Sequence, residues 1–170
     1  RGRARRRVVI FLLSDKVLDV DLTQIVPTCD VLDSRVIPLV GEDLRCIHRV
    51  VKKATRGVAL KSKNKTLITF VRELRPELTL YVWGISLRRK NTIPILPVDD
   101  YRGYGIYYVK NRQELRQLLG KSIEGLLLDS RGFDPYSLEL ILKNKVMCNC
   151  GQCSIVEKLF CEYYKEIEIL

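Results

Sequence analysis

The sequence predicts an α/β fold, a three-layer αβα sandwich around a mixed central sheet. Three observations carry that expectation. The 170 residues are 46% hydrophobic, enough for one domain with a sizeable core. Short apolar runs rich in β-forming residues recur along the chain. Between them lie segments whose apolar residues return every three or four positions, and the connections are long enough for crossovers.

The elements follow in order. Residues 1–7 carry five arginines and read as a basic arm ahead of a domain over 8–145. VVIFLLS (8–14) reads as a buried strand, and CDVLDSRVIPLV (29–40) as extended chain interrupted by Pro38. Gly41, Glu42 and Asp43 open a helix whose stripe is Leu44, Ile47, Val50, Val51, Ala54 and Val58, with Gly57 weakening its end. LKSKNK (60–65) is a polar link to a second helix bearing Leu67, Phe70, Val71 and Leu74, which Pro76 stops. LTLYVWGI (78–85) is a central strand, IPIL within 86–103 is extended, and YGIYYVK (104–110) is another strand. NRQE (111–114) is a capping box for a helix with Leu115, Leu118 and Leu119, and Gly120 sits at its C-cap. EGLLLDS (124–130) is a buried strand, and DPYSLELILKN (134–144) opens with an N-cap and a proline at the first helical position. Ser154 and Glu157 form a second capping box in a helical, cysteine-containing extension over 146–170.

Charge points to the partner. The chain has 30 Lys and Arg against 20 Asp and Glu, a net charge of +10, which suits a polyanion and RNA first. No apolar run approaches the ~20 residues of a membrane helix, so no membrane partner is expected. Ten Lys or Arg residues lie from Arg45 to Arg75, with Glu73 the only acid among them. The helix-to-helix junction there offers Lys52, Lys53, Lys61, Lys63, Asn64 and Lys65 to a phosphate backbone. Arg88 and Arg89 with Lys90, and Lys110 and Arg112 with Arg116, are expected to extend the surface along the same sheet edge. Tyr101 and Tyr104, in a basic loop, are the expected stacking residues, and Trp83 is expected in the core, with base stacking as its alternative role.

From about residue 36 to 129 the order of residues resembles the kink-turn-binding ribosomal-protein family. RVIPLVGEDLRCIHRVVKKATRGVALKSKNKTLITFVREL matches its lead-in and two helices, LTLYVWGI its strand, and YGIYYVKNRQELRQLLGKSIEGLLLD its later strand, helix and strand. The resemblance implies an αβα sandwich and a non-enzymatic, RNA-binding structural subunit of a ribonucleoprotein among other proteins. It also implies a nuclear, nucleolar or ribosome-associated place in the cell. Where the family contacts RNA through Gly, Asn or Lys, Glu and Lys, this chain has Lys63, Lys65, Thr66 and Thr69, which leaves the RNA unspecified.

Two other constellations bear on chemistry. Cys148, Cys150 and Cys153, with Cys161 eight residues on, suit a structural zinc ion, Cys46 and His48 being spare donors. Four of the six cysteines crowding the C-terminal end is unlike a disulfide framework, so a reducing, intracellular compartment is expected. Asp15, Asp33, Asp99, Asp100 and Asp129 follow apolar runs; carboxylates at the carboxyl ends of strands could hold Mg²⁺, making a metal-dependent nuclease the alternative.

Overall fold

Apolar runs bounded by turn residues fold here as eight short strands, each parallel to both its neighbours. The computed structural model describes residues 8–143 and Leu159. The strands are β1 (Val9–Leu13), β2 (Gln24–Pro27), β3 (Val36–Val40), β4 (Val58–Lys61), β5 (Leu80–Trp83), β6 (Thr92–Pro97), β7 (Ile106–Val109) and β8 (Gly125–Asp129). They follow chain order around a closed barrel, and β8 returns to pair with β1 from Val9 opposite Gly125 to Leu13 opposite Asp129. The expected three-layer sandwich with a mixed sheet is therefore corrected to a closed, all-parallel barrel with helices outside. The physical reason is that these strands are apolar on both faces. Inward residues fill the barrel and outward ones meet helices, so each run reads like a central strand of an open sheet.

Four helices are described: α1 (Leu44–Lys53), α2 (Lys65–Leu74), α3 (Arg112–Gln117) and α4 (Pro135–Lys143). Ile47, Val50, Val51 and Ala54 of the expected stripe, with the buried residues of α2, cluster with Val40, Val58, Leu60, Leu80 and Val82 on the outer face of β3 to β5, while Leu44 is exposed. Leu115 of α3 and Leu138 and Ile141 of α4 cluster with Leu12, Leu96, Tyr107, Val109, Leu126 and Leu128 on the other side. Inside the barrel, Phe11, Ile25, Ile37, Ala59, Tyr81, Ile95, Ile106 and Leu127 form a third cluster. Phe11 and Tyr81 meet edge to face there, ring centroids 5.3 Å apart, a favoured aromatic geometry.

Local chemistry sets the boundaries. Asp43, Asn64 and Asn111 each accept a hydrogen bond from a first-turn amide of α1, α2 and α3, as N-caps do. Glu114 reaches back past the cap and accepts from Lys110 N at 2.8 Å, one residue before the amide of the expected capping box. Gly57 adopts φ +138°, and a Cβ there would lie 2.8 Å from Thr79 O. The chain turns at this glycine, so Val58 begins β4 and does not continue the α1 stripe. A central strand thus replaces the first part of the expected polar link. Pro38 sits inside β3, just before its ladder with β4 begins at Leu39, where a missing donor costs least.

Cys29, exposed after β2, and Cys46, buried in the first turn of α1, form a disulfide. This departs from the reduced cysteines expected and removes Cys46 as a spare metal donor. The bridge spans 17 positions, so reduction is expected to lower stability by about 3 kcal/mol, read as an earlier urea midpoint in dithiothreitol. Cys29→Ser should show the lower midpoint without reductant; equal midpoints for wild type with and without reductant would contradict a stabilising role. No described helix is long and apolar enough to cross a membrane. The basic arm, the Ser154 and Glu157 box, and the zinc candidates Cys148, Cys150, Cys153 and Cys161 lie outside the described residues.

Candidate functional site at the barrel mouth

Parallel strands gather their carboxyl ends on one face, and in parallel barrels that face is where binding groups collect. Here β4 ends in Lys61 and leads into Ser62, Lys63, Asn64 and Lys65, β7 leads into Lys110, and β8 ends in Asp129 and leads into Arg131. The loops are braced. Ser62 Oγ donates to Glu42 Oε1 at 2.7 Å and accepts from Asn64 N at 2.9 Å, which ties the β3–α1 and β4–α2 turns together. Asn64 is committed to capping α2 through Thr66 N.

The expected contact residues do not share one edge. Lys61, Lys63, Asn64, Lys65 and Lys110 are at the mouth, and Arg112 opens α3 beside it. Lys52 and Lys53 lie in the last turn of α1, at the opposite end of the barrel, where they complement the helix carbonyls. Arg88 and Arg89 precede β6 at that same opposite end; Arg88 pairs with Glu124 at 2.7 Å. Two arginines of the basic segment are structural. Arg75 donates to the carbonyls of Val51 and Ala54 at the end of α1, and Arg72 to those of Pro76 and Leu78.

The mouth holds a connected set of side chains. Trp83, half-buried at the end of β5, has Lys61 Nζ 4.8 Å from its ring centroid. Tyr108 of β7 also meets the indole, centroids 4.9 Å apart and tilted 52°. Tyr108 donates its hydroxyl proton to Asp129 Oδ2. Arg131 clamps the same carboxylate, Nε to Oδ1 at 3.1 Å and Nη2 to Oδ2 at 2.8 Å, while its backbone amide reaches Oδ1 at 2.9 Å. Burial disfavours charge on Asp129, which is only 4% exposed, but the bonds from Arg131 and Tyr108 outweigh it and hold the carboxyl at about 2. Burial and the Asp129 bond push Tyr108 up to about 12, and the carboxylate raises Arg131 further. The group is therefore a neutral phenol, a carboxylate and a guanidinium at any physiological pH.

Sequence reasoning missed Tyr108 and Arg131; Trp83, expected in the core, packs half-buried against the cluster inside the barrel. The signal was an Asp-x-Arg step directly after an apolar strand. Of the tyrosines chosen for stacking, Tyr101 is engaged elsewhere: it donates to Ser122 O and packs on Tyr107, with Lys121 over its ring; the backbone carbonyl of Tyr104 accepts from the Tyr107 hydroxyl. Asp15, Asp99, Asp100 and Asp129 do stand at the carboxyl ends of β1, β6 and β8, whereas Asp33 precedes β3 and pairs with Arg35; Asp100 pairs with Arg102, and both oxygens of Asp129 are occupied. Among the described residues, no group of three or more His, Cys, Asp or Glu side chains is placed to hold a metal ion.

The fold and this rim define a parallel β-barrel whose carboxyl-end mouth carries exposed lysines, aspartates and an aromatic pair. No protein-family model, curated protein or solved structure matches the chain.

Proposed function

We propose that the protein is a non-enzymatic RNA-binding subunit of a ribonucleoprotein, with the C-terminal mouth of the barrel as its contact surface. The observation that carries this reading is the placement of Lys61, Lys63, Lys65 and Lys110 on the rim around Trp83. All four are exposed, and none is ion-paired among the described residues. Exposed cations beside an aromatic ring suit a phosphate backbone and unstacked bases. The fold gives no support for kink-turn recognition, so the reading rests on the mouth's own residues. An intracellular place on a ribonucleoprotein belongs to the same proposal, and there the Cys29–Cys46 bridge would respond to redox conditions.

The test is the salt dependence of binding to a labelled single-stranded RNA. Four phosphate contacts give a slope of log K against log salt near about −3, steeper if the arm takes part. Changing the four lysines together to alanine should remove about that much slope. A flat profile for the wild-type chain would sink the proposal.

A further inference from the structure

We infer that the mouth seats one unpaired nucleotide, its base against Trp83 and its phosphate on Arg131. This deepens the RNA-binding reading and rests on it.

The first support is what covers the tryptophan. Trp83 is a large ring at a strand end, and one of its contacts is a lysine ammonium 4.8 Å from its centroid. A lysine is a strongly hydrated charge on a flexible stem, a cover that can move to a phosphate and leave the ring to a base. The second support is the fixed guanidinium. Arg131 is 78% exposed at its side chain, yet two of its nitrogens are held on a carboxylate that is almost fully buried. The Nη1 donors are not used by that clamp. An arginine oriented by a buried acid is prepared to bind a phosphate oxygen, since little side-chain freedom is left to lose. The third support is continuity: Tyr108 touches the Trp83 ring and donates to Asp129, so platform and fork are one connected unit. Asp129 and Tyr108 act as positioning residues, and neither needs to touch the ligand.

The experiment uses the full chain and its single tryptophan as reporter. An oligouridylate and the same ribose-phosphate chain without bases are titrated against Trp83 emission and, separately, by anisotropy. Uridylate should change the emission and bind about tenfold tighter than the abasic chain. Arg131→Lys, which keeps the charge and loses the fork, should weaken uridylate about fivefold when measured well below its unfolding transition, which the loosened hold on Asp129 is expected to lower. Equal binding of both chains with unchanged emission, at a steep salt slope, overturns the nucleotide seat and leaves RNA binding standing. Failure of both chains to bind overturns the RNA reading itself.

Discussion

Gly132→Ala is expected to unfold the protein at a clearly lower urea concentration than any other addition of one methyl discussed here. A Cβ at Gly132 would lie 1.7 Å from Lys110 O and 2.9 Å from Lys110 C. Both are backbone atoms, so no flexible side chain can swing aside. The turn cannot yield easily either. The amides of Gly132 and Phe133 both donate to Asp129 O at 3.0 Å, and Phe133 is anchored in the outer core. The methyl must therefore push the turn after β8 away from the turn after β7. The expected cost is about 3 kcal/mol, at the upper end for overpacking. Gly41→Ala is the control, because nothing lies within 4 Å of its added Cβ, and it should shift stability by about 0.5 kcal/mol or less. Equal midpoints for the two variants would show that the two turns are not pressed together.

The second large effect is acid sensitivity at Asp129. Its carboxyl sits at about 2 in the folded chain, against ~3.9 for an unperturbed aspartate. The unfolded state therefore takes up the proton more readily. The stabilisation is fully present above about pH 4 and is lost as pH falls towards about 2. Linkage over nearly two pH units gives about 2.6 kcal/mol as a ceiling. The Arg131 partner is mostly in water, so about 1–2 kcal/mol is the expected size. Asp33, held low by Arg35, titrates in the same window, and subtraction is needed to separate them. Asp129→Asn should be less stable than wild type at pH 7, with the gap closing by about pH 2. A gap of constant size across that range would contradict the assignment. The alkaline side has the opposite sense: Tyr108 is pushed up to about 12, so its contribution is intact below about pH 10 and lost as pH rises towards 12. The same variant should bring the phenol's titration down, visible in ultraviolet difference absorbance.

How much of this was legible depended on whether a signal was local. Asp43 opens α1 and Asn111 caps α3 as read, and Pro76 follows the end of α2, whereas Asn64, read as a phosphate contact, caps α2. The apolar runs that became β1, β5, β7 and β8 stood out because β-formers filled them. β2 did not, being four residues long with a glutamine at one end and a proline at the other. β4 was hidden differently. Val58 falls in phase with the α1 stripe, so periodicity alone carried the helix past Gly57. Closure itself has no local signature, since an outward leucine and an inward leucine look alike in a strand buried on both faces.

The candidate site divides the same way. Charge density found Lys61, Lys63, Lys65 and Lys110, yet could not say that Lys52, Lys53, Arg88 and Arg89 would face the other end of the barrel. That separation comes from strand direction, because a residue before a strand and one after it stand on opposite faces. Asp129 drew notice as a carboxylate after a strand, with metal binding in mind. Its neighbour two residues on, Arg131, together with Tyr108 from the adjacent strand, gives it a different task.

The order of the strands has a consequence for the chain as it is made. Every neighbouring pair but one joins consecutive strands and can form as soon as the second is synthesised. The exception is the pair that closes the barrel, β1 with β8, whose residues are roughly a hundred positions apart. At ordinary rates of translation, on the order of ten seconds pass between the emergence of the two. For that interval one edge of VIFLL has no partner, and it is an apolar five-residue strand without proline or charge. The nascent barrel is thus open to mispairing at β1, and a chaperone that shields extended apolar chain should act there, before β8 arrives.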